Sequence, residues 1–172
     1  MTEEQGVVLE ALQFAIKMET EGKEYYLNAS KEASDRLGSE LFEWLAGEED
    51  KHRRKFEQIY ESLRRDRGWP QTEVNPEAGK GWVSLFRKAE KRTAVASREL
   101  DAIDKAMEME LKTQHYYEGQ SRKDLPKVAR EFYSALAAEE RGHYLALVDY
   151  REYLIDPAGW FRKMEHHSLD GG

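Results

Sequence analysis

Leu45-Ala46-Gly47-Glu48-Glu49-Asp50-Lys51-His52 returns as Leu136-Ala137-Ala138-Glu139-Glu140-Arg141-Gly142-His143, displaced by 91 positions (52 to 143). Both copies end in Glu-x-x-His, and both stand among apolar residues spaced by three and four. Working outward, Ala11-Leu12, Ala15-Ile16, Met18-Glu19 and Tyr25-Tyr26 recur at the same displacement as Ala102-Ile103, Ala106-Met107, Met109-Glu110 and Tyr116-Tyr117. No gap separates the matches. A unit of two helices is therefore repeated, over 11–63 and again over 102–154. Two copies are too few for a solenoid, and the repeat predicts a bundle of paired helical hairpins.

The spacing within each copy is helical. Leu12, Ala15, Glu19, Gly22, Tyr26 and Ala29 mark one face of a first helix, and Leu41, Leu45, Glu49, His52, Phe56, Ile59 and Leu63 one face of a second. Ile103, Ala106, Glu110, Thr113 and Tyr117 do the same for a third, and Phe132, Leu136, Glu140, His143, Leu147, Tyr150 and Leu154 for a fourth. Pro70, Pro76, Pro126 and Pro157 all avoid these helix interiors. Ser34-Asp35 separates the first two helices and can cap the second, and Asp124 with Pro126 is read as doing the same before the fourth. The connector 64–101 opens on the loop signals Gly68-Trp69-Pro70 and Asn75-Pro76, then runs through Trp82, Leu85 and Phe86 into a short predicted helix. It is long enough to traverse the bundle and would permit hairpins to swap between chains. The tail 155–172 is expected to dock Trp160 and Phe161 on the bundle. It shows no evident further helix, which speaks against a ferritin-style storage cage.

Composition agrees with an all-α single domain over 1–172. Gly (12) and Pro (4) are scarce for a chain of 172 residues, and charged residues make up 35%. The absence of Cys excludes disulfides, thiolate zinc sites, iron–sulfur clusters and a cysteine nucleophile. A formal charge of -7 disfavours nucleic acid as a partner. The start Met-Thr-Glu-Glu is acidic where a signal peptide is basic, and no apolar run is long enough for a membrane span, so a cytoplasmic location is expected.

Six polar residues interrupt the apolar faces: Glu19, Glu49, His52, Glu110, Glu140 and His143. A buried charge costs several kcal/mol unless it is paired or bound to metal, so four carboxylates facing one core demand a cation. Glu at i and His at i+3 share a helical face, so Glu49/His52 and Glu140/His143 can converge on one point. Four carboxylates and two imidazoles suit two divalent cations such as iron or manganese, and two such ions neutralise four Glu. A single Glu-x-x-His arises easily by chance. Two at equivalent points of a gapless repeat, joined by two paired Glu, outweigh the alternative of buried or solvated ion pairs.

This ligand pattern resembles the ferritin-like di-iron carboxylate proteins, and within them the rubrerythrin-like family. The resemblance implies a ferritin-like four-helix bundle with a long crossover between helices two and three. It implies two iron ions, with manganese compatible and zinc able to substitute. Glu49 and Glu140 would bridge the ions, with Glu19 and His52 terminal on one side and Glu110 and His143 on the other. It further implies reduction of hydrogen peroxide or dioxygen, an external electron donor and a homodimer. Two departures stand out. Rubrerythrins usually carry a further Glu one turn after the third-helix ligand, where this chain has Thr113. Their rubredoxin domain is also missing, since there is no Cys. The remaining donor set also resembles the bacterioferritin ferroxidase site, so iron handling without peroxidase activity is the alternative.

Tyr26 and Tyr117 lie seven residues after Glu19 and Glu110, about 10 Å along the helix axis. They are out of reach of their own helix's Glu but within reach of one on a neighbouring helix, a supporting role that the resemblance also implies. Ordinary core packing is the alternative. Tyr25 and Tyr116 are read as packing. Glu48 and Glu139 are rotated by about 100° from the Glu that follows each of them, and are read as exposed or as supporting a ligand. His115, His166 and His167 have no partner in the repeat and are read as surface or tail residues. The basic members of Lys51-His52-Arg53-Arg54-Lys55, His52 apart, are read as a solvated face.

Overall fold

The computed structural model describes residues 3–75, 77–87, 89 and 97–169. Among the described residues six helices follow one another: α1 (Glu3–Glu32), α2 (Arg36–Arg64), α3 (Val83–Phe86), α4 (Ser97–Ser121), α5 (Lys127–Ile155) and α6 (Pro157–Leu169), with a 3-10 turn at Ala78–Lys80 before α3. The architecture is all-α and ferritin-like. α1 and α2 form one hairpin and α4 and α5 the other, joined by the crossover. Backbone contacts concentrate within each hairpin, and α1 meets α4 as α2 meets α5. No helix among the described residues is long and apolar enough to cross a membrane.

The predicted faces are the buried ones. Leu12, Ala15, Tyr26, Leu41, Leu45, Phe56, Ile59, Ile103, Ala106, Tyr117, Phe132, Leu136, Leu147, Tyr150 and Leu154 are buried, while Ala29 and Leu63 are half-buried at the helix ends. Burying one such aliphatic or aromatic side chain contributes about 1.5–3 kcal/mol. The core falls into two apolar clusters. One gathers around Phe42, Tyr150 and Trp160, the other around Leu12, Phe56 and Tyr133. The polar residues of the repeat lie between them as a girdle.

Several boundaries differ from the sequence expectation. α1 begins at Glu3, upstream of residue 11, because Val8 and Leu9 extend the apolar face onto the cluster that holds Leu12. α4 begins at Ser97, inside the expected crossover. Asp35 caps α2 as expected, accepting from Gly38 N at 2.7 Å. Asp124 does not cap α5: Pro126 occupies the N-cap position with no side-chain bond, and Asp124 sits two residues too early to reach the first turn. The tail is corrected most. It forms α6, whose start is the Asp-Pro signal itself, with the Asp156 carboxylate accepting from Gly159 N at 2.9 Å. The expected docking of its aromatics holds, since Trp160 is buried against Tyr153 and Phe86. α6 thus adds a short helix beyond the four of the bundle.

The crossover crosses α5 by glycine-to-glycine contact. A Cβ on Gly79 would lie 2.5 Å from the Glu139 carbonyl oxygen, and one on Gly142 would lie 2.5 Å from the Gly79 carbonyl oxygen. Gly142 is the repeat partner of Lys51, so the duplication departs from itself where the connector passes. Gly142→Ala is expected to destabilise the fold by about 1–3 kcal/mol through overpacking against backbone. Gly47→Ala, with nothing within 4 Å, should stabilise it by about 1 kcal/mol. Urea midpoints of the two variants check both signs.

Candidate metal centre

α1, α2, α4 and α5 each send side chains to the girdle, and the structure brings all six residues together. Glu19, His52, Glu140 and His143 are fully buried and Glu49 and Glu110 nearly so. They form two groups whose donor atoms lie within 4.8 Å of one another: Glu19, Glu49, His52 and Glu140, and Glu49, Glu110, Glu140 and His143. Glu49 and Glu140 belong to both. Each group thus takes three residues from one hairpin and one from the other. The imidazole rings of His52 and His143 lie face to face, 5.6 Å apart. His52 Nδ1 stands 2.8 Å from Glu140 Oε1 and 3.6 Å from Glu19 Oε2, and His143 Nδ1 3.3 Å from Glu140 Oε2, 3.5 Å from Glu49 Oε1 and 3.6 Å from Glu110 Oε2.

The inward-facing atoms are orphaned. Glu19 Oε2, Glu49 Oε1, both Glu140 oxygens and the Nδ1 of both histidines are buried without a hydrogen-bond partner among the described residues. Buried polar atoms of a native structure rarely go unpaired, and six that converge call for a cation. Hard carboxylates and borderline imidazoles are the donor set of a divalent first-row metal, so the residues fit a metal pair.

Without metal, protons supply the missing positive charge. Burial pushes the Glu49 carboxyl well above the usual range, and repulsion from Glu19, Glu140 and Glu110 adds to it. Burial and the neighbouring Glu140 raise Glu110 to about 8. Burial opposes ionisation of Glu140 too, but His52 and His143 beside it hold it below the usual range. For the imidazoles burial opposes the charged form and loses. Glu140 and Glu19 raise His52 well above its ordinary value, and Glu110 does the same for His143. Metal binding here must displace protons.

The surrounding contacts orient the donors. Tyr26 donates to Glu110 and Tyr117 to Glu19, each across to the other hairpin, so both tyrosines support a candidate ligand. Tyr25 and Tyr116 do more than pack: they donate to the Ala102 and Ala11 carbonyls at 2.6 and 3.1 Å, a matched pair of clasps between hairpins. Glu139 is buried, and its Oε2 accepts from His52 Nε2 at 2.8 Å, which turns Nδ1 toward the cluster. Its repeat partner Glu48 is also buried but bonds Lys51 at 2.5 Å, and His143 Nε2 has no partner among the described residues. Gly142 in place of a lysine explains the difference: Glu139 has no cation one turn ahead on its own helix. Glu139→Gln is expected to weaken metal binding at the His52 side by about 10–100-fold and to spare the His143 side. A two-site calorimetric titration reads the two affinities separately.

Sequence reasoning placed Gly22 on the inner face without a role. A Cβ there would lie 2.5 Å from Glu49 Oε2, so the glycine makes room for that carboxylate. Its repeat partner is Thr113, half-buried, whose hydroxyl donates to the Met109 carbonyl at 3.0 Å. Trp44, whose ring meets that of His143 edge-on at 5.4 Å, was also missed, because its repeat partner is Ala135 and the duplication does not mark it. His115 is exposed, and the side chains of His166 and His167 lie outside the described residues. Lys51, Arg53, Arg54 and Lys55 pair with Glu48, Asp50, Glu57 and Glu139 on the outer face of α2.

The rubrerythrin family profile matches residues 10–150, which spans both hairpins and all six clustered residues. The chain belongs to the rubrerythrin family. The fold is also that of a hypothetical protein from Pyrococcus furiosus, with 24% identity, a TM-score of 0.66 and coverage of 86% of this chain and 90% of that one. No curated protein matches the chain. Membership of the rubrerythrin family suggests a di-iron carboxylate protein, and the buried carboxylate and histidine cluster fits that suggestion.

Proposed function

We propose that the protein is a di-iron oxidoreductase that reduces hydrogen peroxide or dioxygen. The observation that carries the reading is the pair of donor groups sharing Glu49 and Glu140. Glu49 and Glu140 would be donors common to both irons, with Glu19 and His52 completing one donor set and Glu110 and His143 the other. A ferrous pair held by these residues would supply the two electrons that an oxidant such as peroxide takes up. The chain's own work is positioning and exclusion. Tyr26 and Tyr117 hold Glu110 and Glu19 in place, Glu139 fixes the His52 tautomer, and the two apolar clusters keep bulk water from the girdle. With no Cys in the chain, reducing equivalents come from an external donor.

A second reading is iron handling: oxidation, binding or transfer of iron with no dedicated peroxidase cycle. Thr113 favours it, because the further carboxylate usual in the family is absent there and the threonine hydroxyl is turned to its own helix. Anaerobic loading with Fe²⁺, followed by peroxide or air, separates the two. Many turnovers per iron pair with a reductant present support the oxidoreductase. One oxidation per iron, with iron released or accumulated, supports iron handling.

Thr113→Glu tests the same question from the protein side. Gly22, its repeat partner, faces the Glu49 carboxylate, so position 113 faces the girdle from α4. A carboxylate there that engages only oxidised iron favours the oxidised state and lowers the barrier to it. Faster oxidation of the ferrous protein by peroxide in stopped flow is expected in Thr113→Glu, with two irons bound in both proteins. Equal rates would mean that Thr113 does not face the iron.

A further inference from the structure

Two rows of aromatic rings lead away from the girdle, and they are unequal. In one, Tyr117 donates to Glu19, its ring lies 6.0 Å from that of Tyr133, and Tyr133 lies 6.0 Å from the indole of Trp69. Trp69 is half-buried in the segment after α2, so its edge is open to a small molecule in solution. In the other, Tyr26 donates to Glu110, but Phe42, Tyr150 and Tyr153 stand between it and Trp160, at ring spacings of 6.1, 6.1, 6.1 and 5.4 Å. Trp160 is itself buried. Trp69 and Trp160, Tyr117 and Tyr26, and Tyr133 and Phe42 are repeat partners at the same displacement of 91 (69 to 160). Among the described residues only the first row has a single intervening ring and an open end.

We propose that Trp69 and Tyr117, bridged by the ring of Tyr133, carry single electrons between a small outer-sphere donor at the surface and the metal pair. The proposal rests on the metal reading given above. Tunnelling falls off exponentially with distance, and here near-contact rings replace saturated side chains from Trp69 to Tyr117. The proton balance closes on residues present. With hydrogen peroxide at the metal pair as the oxidant, Tyr117 gives one electron inward as its O–H bond breaks, and the proton moves along the existing hydrogen bond to Glu19. Trp69 then returns an electron to Tyr117 across Tyr133, and the proton comes back from Glu19. The Trp69 indole Nε1–H is buried with no partner among the described residues, so the oxidised indole keeps its proton as a radical cation. The outer-sphere donor, oxidised by one electron, restores it. Reduction of one hydrogen peroxide to two waters takes two such electrons, with two protons from water.

The test follows the oxidised residue. The protein is loaded with Fe²⁺, its iron content is measured, and it is treated with several equivalents of hydrogen peroxide and no reductant, so that the first equivalent consumes the two ferrous electrons and the rest must draw electrons from the protein. Radicals are then trapped by rapid freezing for paramagnetic resonance, and oxygen addition is mapped by peptide mass spectrometry. A tryptophan radical and oxygen addition concentrated at Trp69 are expected, and ferrocyanide as outer-sphere donor should suppress both. Tyr117→Phe and Tyr133→Leu should abolish Trp69 oxidation. Tyr133→Phe, which keeps the ring and copies the Phe42 of the other half, should preserve it. Trp69→Phe should leave a longer-lived tyrosyl signal. Oxidation centred on Trp44, the ring beside His143, would overturn the proposal, as would Trp69 oxidation indifferent to Tyr117 and Tyr133. A chain that binds no iron would overturn the metal reading and the conduit together, whereas two bound irons with no Trp69 signal would sink the conduit alone.

Discussion

Glu140→Ala is expected to lose both metal ions, where Glu19→Ala loses one. Glu140 stands in both donor groups, and its two oxygens face the two histidines from opposite sides. Removing it strips a donor from each ion and leaves His52 and His143 without the carboxylate between them. Loss of a supporting contact alone typically costs 10–100-fold in metal affinity, so loss of a shared donor should exceed about 100-fold at each ion. Glu49→Ala should behave alike, since Glu49 is the other shared residue. Elemental analysis after gel filtration reads the outcome. Two tightly held ions in either variant would show that the shared carboxylates do not bridge.

Metal should also set the stability of the fold, in a pH-dependent way. A ligand that binds only the native state stabilises it by about 4 kcal/mol at 1,000 times its Kd. For a chain of this size that is roughly 8–16 °C in Tm for each ion. The metal-free protein should lose stability as pH rises. Glu49 and Glu110 hold protons in the folded state that the unfolded chain releases near its ordinary carboxylate value. The stability they contribute is therefore present at low pH and lost toward about 8 for Glu110. His52 and His143, also raised, act in the same direction above their ordinary value. Glu140, held low, contributes in the opposite sense, and that contribution is lost only in strong acid. The gap between loaded and chelator-treated protein should widen from pH 5 to pH 8. A gap that is absent at every pH would mean that the cluster is held by protons alone.

The girdle was legible because it violates a rule the rest of the chain obeys. Glu19, Glu49, His52, Glu110, Glu140 and His143 occupy positions where the three-and-four spacing demands apolar residues, and the repeat says so twice. Tyr26 and Tyr117 were legible as cross-helix partners from their rise along the axis. What the sequence hid depends on contacts between segments far apart in the chain. The role of Glu139 follows from the missing lysine at 142, and that glycine makes sense only once Gly79 is seen lying across it. Gly22 reads as a small residue until the Glu49 carboxylate is found in its space. α6 was missed for another reason: its cap and proline were visible, but the thin apolar periodicity after Trp160 concealed a helix that stands by docking on Tyr153 and Phe86.

The three-plus-one division of donors bears on the order in which the molecule assembles. Contacts within a hairpin are local and form early, whereas docking one hairpin on the other must wait for the long crossover to close. Before docking, each hairpin already carries three donors on adjacent helices: Glu19, Glu49 and His52 on one, Glu110, Glu140 and His143 on the other. An ion captured by such a half-built cradle lacks one donor, and only the opposite hairpin in its correct alignment brings Glu140 or Glu49 to it. A slip of one helical turn would leave both ions short and four carboxylates facing apolar rings. Metal present during synthesis would then act as a gauge for hairpin alignment, rejecting the near-misses that two similar amphipathic hairpins would otherwise permit.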